Sequence, residues 1–390
     1  MRIETTLVQV PREAGDAIAP SSPPIYQTAT FRQPSINERG AYDYTRSGNP
    51  TRHALETQLC ALEGGHVALA YTSGMAAITA VCRLCAGRGA IVAGTDLYGG
   101  TYRLLARVLA PQGVDVRYVD ATQVEAVRAA LARPAGLLLV ESPSNPRLDI
   151  ADLRALSTAA HEAGALLAVD NSLMTPYLQR PLSCGADIVL HSATKGLCGH
   201  ADVTAGAVVV RDPELGRDLA FHQNAEGNAL APFDAWLLQR GMNTLAVRFA
   251  RQQQNAADVA AFLSTHPDVR SVRYPGLGTH PGAAVHASQS AGGGCVVCLE
   301  TGSLEASCRL VEALELFSIT VSFGSVHSTV SLPCRMSHAS MPAQVRSERG
   351  LPEDLVRLSI GIEDPGDLVA DLRRALATAF AAPEMWPAAM

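Results

Sequence analysis

Between about residues 54 and 230, short apolar runs alternate with stretches of helical period. The runs read VALAYTS, AIVAG, VDVRYVD, LLLVESP, LLAVDN, DIVLHSAT and AGAVVV, with segments such as MAAITAVCRLC and LRALSTAAHEAG between them. Near-continuous apolar runs mark strands buried on both faces, and the helical segments supply the crossovers. The alternation predicts an α/β fold with a large, doubly wound, mostly parallel sheet. A helical stretch over about 232–264 follows. More widely spaced strands come next, near 269–275, 294–300, 317–323 and 355–362, and then a helix after Pro365. This part reads as a small C-terminal α+β domain. Residues 1–53 show little periodicity and are rich in Pro, Ser, Thr and Asn. An irregular arm of that length is functional or disordered. The expected organisation is an N-terminal arm (1–53), a large domain (54–240) and a C-terminal domain (241–390), closing in a loose tail, AAPEMWPAAM.

Composition narrows the classes. Hydrophobic residues make up 47% of the 390 and charged ones 17%, the balance of a compact globular chain. A net charge of −6 without a basic block argues against nucleic acid or an anionic membrane as partner. The N-terminus lacks the pattern of a signal peptide and no apolar run is long enough to cross a bilayer, so the expected location is cytoplasmic. Nine scattered cysteines suit reduced thiols better than a disulfide framework. Cys82 with Cys85 and Cys295 with Cys298 have C-x-x-C spacing, but no further ligands stand at ordered spacing, so these read as buried thiols and no metal is expected.

Candidate chemistry gathers at strand ends. Lys195 closes the run IVLHSATK, with Ser192 and Thr194 beside it, and Asp170 ends LLAVD. Parallel sheets bind ligands at the carboxyl ends of their strands, where Ser73, Glu141, Asp170 and Lys195 all fall. YTSGMAAI reads as strand, tight turn and helix start, so the first N–H groups at Gly74 and Met75 would face an anion. No GxGxxG follows a strand and no Walker lysine is present, which weakens dinucleotide and nucleotide triphosphate readings. A lysine nucleophile, a carboxylate and hydroxyls around a phosphate cradle suit pyridoxal 5'-phosphate (PLP): a Schiff-base lysine, an acid on the pyridinium nitrogen, and donors on the phosphate.

Ordered motifs make the resemblance specific. YDYTRSGNPT (42–51), ALEGG (61–65), SGMAAI (73–78), DLYGGTYR (96–103), ESPSNP (141–146), VDNSLMTPY (169–177), HSATK (191–195) and VRLSIGIED (356–364) are similar to the Cys/Met-metabolism PLP enzymes. That group holds cystathionine γ-synthase, cystathionine γ-lyase and methionine γ-lyase. The resemblance implies PLP fold type I, the aspartate aminotransferase-like architecture, and roles for particular residues. Lys195 would hold the cofactor and shuttle protons. Tyr98 would stack on its ring and assist leaving-group departure. Asp170 would bind the ring nitrogen, and Gly74, Met75, Ser192 and Thr194 the phosphate. Tyr44 and Arg46 would reach that phosphate from a neighbouring subunit, implying a catalytic dimer and an expected homotetramer. Arg357 would grip the α-carboxylate of an amino acid substrate, with Asn145 and Ser322 helping.

Specificity markers point two ways. Val321 resembles methionine γ-lyase, because cystathionine-using relatives tend to carry a glutamate there. Asp43 and Arg103 resemble the cystathionine enzymes, and Gly100 stands where methionine γ-lyases commonly carry cysteine. A missing charge partner discriminates strongly, so Val321 makes γ-elimination of methionine to methanethiol, 2-oxobutanoate and ammonia the expected reaction. The alternatives are γ-replacement on an O-acylhomoserine and cleavage of cystathionine. Gly196 replaces a family tyrosine, which predicts a looser lysine turn. His327, in FGSVHSTV, replaces a commonly acidic position and reads as a loop residue without a catalytic role.

Overall fold

A computed structural model describes residues 1–9, 20–339 and 341–381, so most of the expected tail lies outside the described residues. The large sheet has seven strands: β1 (Val67–Tyr71), β2 (Ala90–Gly94), β3 (Val116–Val119), β4 (Ala135–Glu141), β5 (Leu166–Asp170), β6 (Ile188–His191) and β7 (Gly206–Val210). Their order is β1-β7-β6-β5-β4-β2-β3. Strands β3, β2, β4, β5 and β6 run parallel, and β7 is antiparallel to both its neighbours. Every residue of β2, β4, β6 and β7 is buried, as the near-continuous apolar runs require. Helix Gly74–Ala86 packs on one face and helix Pro50–Glu63 on the other.

The second sheet has five strands: β8 (Ser271–Arg273), β9 (Val296–Glu300), β10 (Ser318–Ile319), β11 (Thr329–Ser331) and β12 (Leu355–Ser359), in the order β10-β11-β12-β9-β8. Helix Pro365–Phe380 packs against it. Three details differ from the sequence pattern. The expected strand at 317–323 stops after Ile319, because the chain turns at Ser322, which has φ +92°. Strand β11 was hidden among polar neighbours. The single helix expected over 232–264 is two, Pro232–Met242 and Leu245–Ser264, broken where Gly241 and Asn243 favour helix weakly and the Gly241 carbonyl accepts from Arg248 Nη2 at 2.9 Å.

The N-terminal region is only partly irregular. Helix Ile3–Val8 buries Leu7 and is held by Gln58 Nε2, which donates to the Leu7 carbonyl at 2.7 Å. Helix Pro50–Glu63 starts at a Pro with Asn49 as its cap, the Asn49 side chain accepting from Thr51 N–H at 3.0 Å. Between them, residues 27–45 form an extended, largely exposed loop closed by a bridge between Thr30 and Tyr44.

Cys82, Cys85, Cys295 and Cys298 are free and buried, and burial pushes Cys85 up to about 11 and Cys295 and Cys298 to about 12. Among the described residues no group of three His, Cys, Asp or Glu is placed to hold a metal, and no helix is long and apolar enough to cross a membrane.

Candidate active site

The carboxyl ends of β4, β5 and β6 open into a cleft of about 410 Å³, closed on its far side by the segment after β10 and by β12. Local structure places each group. Ser73 caps helix Gly74–Ala86 by accepting from Ala76 N–H at 3.1 Å, which leaves the first helical N–H groups without intrahelical partners and facing the cleft. A Cβ at Gly74 would lie 2.8 Å from Ser192 Cβ, so only glycine lets this helix start approach the β6 end so closely. Ser192 and Thr194 line the same corner. The Thr194 hydroxyl is bonded to Ala205, accepting from its N–H at 2.9 Å and donating to its carbonyl at 3.2 Å.

Two carboxyl groups sit side by side, since Glu141 and Asp170 are register partners on β4 and β5. Burial pushes Glu141 well above the usual carboxyl range, and the neighbouring Asp170 adds to the shift. Burial raises Asp170 too, against the pull of two hydrogen bonds from Ser172, N–H at 2.9 Å and Oγ at 2.5 Å. A buried acid pair of this kind favours a cation between or beside its members.

Lys195 lies opposite. Its Nζ donates to Ser322 Oγ at 2.5 Å and stands 5.2 Å from the centre of the Phe323 ring. Burial first, then the Arg357 charge, pull its amine down to about 8, with Asp170 opposing. Arg357 on β12 is buried, donating from Nη1 to Asn145 Oδ1 at 2.7 Å and from Nη2 to the Ser322 carbonyl at 3.0 Å. Its Nε has no partner, a charged donor left for a ligand. Ser322 thus bridges Lys195 and Arg357 from a left-handed conformation that costs a non-glycine residue about 1–3 kcal/mol. Tyr98 is 38% exposed at the head of helix Gly99–Leu104, and its N–H donates to Glu141 Oε1 at 2.8 Å. Arg103 and Val321 complete the rim.

The cleft therefore gathers Lys195, Tyr98, Asp170, Gly74, Met75, Ser192, Thr194, Asn145, Arg357, Ser322, Val321 and Arg103. It does not include Asp43, Tyr44 or Arg46. Asp43 Oδ1 accepts from Tyr44 N–H at 2.6 Å, and Arg46 donates to Asn224 Oδ1 at 3.2 Å with its guanidinium 5.2 Å from the Tyr44 ring. His327 is exposed, bonded to Ser325 and away from the cleft. The looser turn expected at Gly196 is instead packed: a Cβ there would come 2.5 Å from Phe249 Cζ, so this ring fills the space a side chain would need. Sequence reasoning placed Glu141 at a ligand-binding strand end without giving it a role, and assigned no part to Ser172 or Phe323. Their signals were the ESPSNP and VDNS motifs, whose acid and hydroxyl pair locally, and the residue next to Ser322.

Comparison with known proteins settles the family. The model of the Cys/Met metabolism PLP-dependent enzymes matches residues 4–377. The chain belongs to that family. Chloroplastic cystathionine β-lyase of Arabidopsis thaliana is 52% identical over 376 residues, 96% of this chain and 81% of that protein. Cystathionine γ-lyase of Bacillus subtilis is 45% identical over 91% of this chain and 94% of its own. Among solved structures, cystathionine γ-synthase from Xanthomonas oryzae in complex with cystathionine superposes with TM-score 0.95 at 40% identity, covering 97% of this chain and 98% of that one. Cystathionine γ-lyase from Lactobacillus plantarum complexed with L-serine gives 0.94 at 38%, covering 97% and 99%. The chain is thus a PLP-dependent carbon–sulfur lyase of fold type I.

The residues fit the cofactor. A helix N-terminus and hydroxyls offer a phosphate its donors, and the Asp170–Glu141 pair offers a protonated ring nitrogen its counter-charge. The Lys195 amine, held near 8 instead of the ordinary lysine value of about 10.4, is readily freed of its proton for covalent attachment. Below that value the amine is protonated and inert as a nucleophile. Covalent PLP uptake by apoenzyme should accelerate as pH rises to about 8 and then level. Stopped-flow absorbance reads it, and a rate still climbing towards pH 10 would mean an ordinary lysine.

Proposed function

We propose that the enzyme cleaves L-cystathionine by β-elimination, adding water overall to give L-homocysteine, pyruvate and ammonia. One observation carries the substrate: the cleft holds a second guanidinium, Arg103, which among the described residues has no ion pair or hydrogen bond. Methionine has one carboxylate, which Arg357 takes, and would leave Arg103 idle. Cystathionine brings a second amino-acid head. Gly100 agrees, since a Cβ there would lie 2.4 Å from Tyr98 Cε1, so the methionine γ-lyase cysteine does not suit this placement of the Tyr98 ring. The β-carbon as cleavage point is supported by the 52% identity to a cystathionine β-lyase.

The side chains divide the work. Arg357 takes the α-carboxylate with its free Nε and the outer edge of the fork, while Asn145 and the Ser322 carbonyl hold the guanidinium plane. This fixes Cα near Lys195, whose lowered pKa leaves a larger share of its amine unprotonated than an ordinary lysine has, ready to take the Cα proton. Gly74, Met75, Ser192 and Thr194 would hold the cofactor phosphate and Asp170 its ring nitrogen. Bound PLP supplies the electron sink that makes the Cα proton acidic. As the Cα–H electron pair moves to form the Cα–Cβ double bond, the Cβ–S bond breaks. The departing sulfur takes a proton from Lys195 or the Tyr98 hydroxyl.

Removing the second charge tests the substrate. Arg103→Gln should lower kcat/KM for cystathionine about 10- to 100-fold, the loss of one charge-assisted hydrogen bond of about 1.5–3 kcal/mol, and leave any methionine turnover as it was. Equal loss on both substrates would remove the argument. A second reading, γ-elimination of methionine, is favoured by Val321, which is 55% exposed beside Ser322 and offers no acid to a distal ammonium. Asp43 meets that need if the arm crosses between subunits.

The arm (1–53) is proposed to do so, lending Tyr44 and Arg46 to the partner's phosphate site and Asp43 to its rim, with residues 54–240 binding PLP and 241–390 forming the second domain. Supporting this, Ile25, Tyr26, Ile36 and Tyr44 are exposed apolar groups on one segment. Dimers pairing into a tetramer are the proposed assembly. Arg46→Ala should weaken PLP affinity about tenfold or more, read by equilibrium dialysis. Unchanged affinity would count against a shared site. The nine free thiols suit a reducing compartment such as the cytoplasm.

A further inference from the structure

Helix Leu245–Ser264 carries three polar side chains that are almost fully buried: Arg248 at 4% exposure, Gln252 at 0% and Asn255 at 0%. Their spacing of four and three places them on one face of the helix. Each donates to backbone carbonyls of another segment, and Arg248 Nε also donates to Oγ1 of Thr244, the cap residue of the helix, at 3.0 Å. Arg248 Nη1 donates to the Gly196 carbonyl at 3.0 Å and Nη2 to Leu197 at 3.3 Å, while Nη2 also reaches Gly241. Gln252 Nε2 donates to Ser325 at 2.8 Å and Ile360 at 2.9 Å. Asn255 Nδ2 donates to Gly361 at 3.1 Å and Glu363 at 2.8 Å.

Those carbonyls follow closely on the site residues. Gly196 and Leu197 come directly after Lys195, Ser325 three residues after Ser322, and Ile360 three residues after Arg357. One helix face thereby bonds to the segments that follow Lys195, Ser322 and Arg357. The arrangement is costly. Gln252 Oε1 and Asn255 Oδ1 are buried without partners, and among the described residues Arg248 has no carboxylate in ion-pair range. Unsatisfied buried polar atoms cost about 1–3 kcal/mol each, so apolar packing would stabilise this interface more. Phe249, next to Arg248, packs its ring against Gly196 from the same helix.

We propose that Arg248, Gln252 and Asn255 are positioning residues, a polar stripe that sets the distance between the Lys195 amine and the substrate held by Arg357. Neither group is altered by the stripe on its own. What the stripe fixes is their spacing, and hence the reach of the amine to the Cα hydrogen. An error of about 1 Å in such a reach costs about a hundredfold in rate.

This rests on the proposed roles of Lys195 and Arg357 and not on the choice of substrate, so the test uses whichever amino acid the wild-type holoenzyme turns over fastest. Gln252→Leu keeps volume and loses both donors. Expected are full PLP loading by absorbance, KM within about threefold, and kcat per bound cofactor down about 10- to 100-fold. Cα-deuterated substrate should show a larger isotope effect on kcat than with wild type, because proton removal has become limiting. Arg248→Lys, whose single ammonium cannot serve all these carbonyls, should shift kcat and isotope effect in the same direction and stands in if Gln252→Leu does not fold. A lowered melting temperature with unchanged kcat per cofactor and unchanged isotope effect would overturn the proposal. Failure of Lys195→Ala to lose activity would instead overturn the site assignment beneath it.

Discussion

Lys195→Ala is expected to lower turnover about 10⁴-fold or more while the protein still folds and binds PLP through its phosphate cradle. General acid–base assistance alone is worth about 10²–10⁴ in rate, and this residue is also the proposed point of covalent attachment. The surroundings are built for that use. Burial and the Arg357 charge bring the amine down to about 8, and Ser322 Oγ, 2.5 Å away, orients it. Arg357 has two proposed uses, as carboxylate anchor and, after burial, as the nearby charge that lowers the pKa of the Lys195 amine. The readout is single-turnover product formation by the PLP-loaded variant. Residual activity above about one per cent of wild type would mean that another group removes the Cα proton.

Arg357→Ala should cost about 10²–10⁴-fold in kcat/KM, mostly in KM. A fully desolvated charge pair broken on one side costs about 3–5 kcal/mol, and each 1.36 kcal/mol is tenfold. Part of that loss is uniform binding, which raises KM, and part is the placement of Cα, which lowers kcat. Arg357→Lys should recover little, because a single ammonium cannot keep the bonds to Asn145 and Ser322 and also present an edge to the carboxylate. Arg357→Ala also removes the charge that, after burial, lowers the pKa of the Lys195 amine, so its pH for half-maximal PLP uptake should move upward from about 8, whereas Arg357→Lys keeps a positive charge and should shift it less. Normal KM with either variant would place the carboxylate elsewhere.

Much of this was legible in the sequence, for physical reasons that also mark the limits. Strands buried on both faces leave near-continuous apolar runs, so β4, β5 and β6 and the chemistry at their ends could be placed from pattern alone. Motif order then pointed to Arg357, far along the chain, which no periodicity would have singled out and which the fold brings into the cleft. Ser322 was legible as a contact but not as a strained bridge, since a positive φ in a serine leaves no mark on composition. The end of the expected strand at 317–323 has the same cause. The break at Gly241–Thr244 was invisible because flanking residues keep helical period on both sides. The stripe Arg248, Gln252 and Asn255 lies within RFARQQQNA, which by composition reads as a solvated helix face. Buried polar residues that bond to backbone carbonyls have no pattern of their own. Reaction choice was the least legible of all, because Val321 and Arg103 argue opposite ways and neither leaves a mark on periodicity.

The most direct test offers L-cystathionine and L-methionine separately to the PLP-loaded enzyme and identifies the keto acid and thiol released. The account predicts pyruvate and homocysteine from cystathionine, with methionine turned over at least about tenfold less efficiently. 2-Oxobutanoate as the main keto acid, with methanethiol from methionine or cysteine from cystathionine, would contradict it and move the broken bond to the γ-carbon.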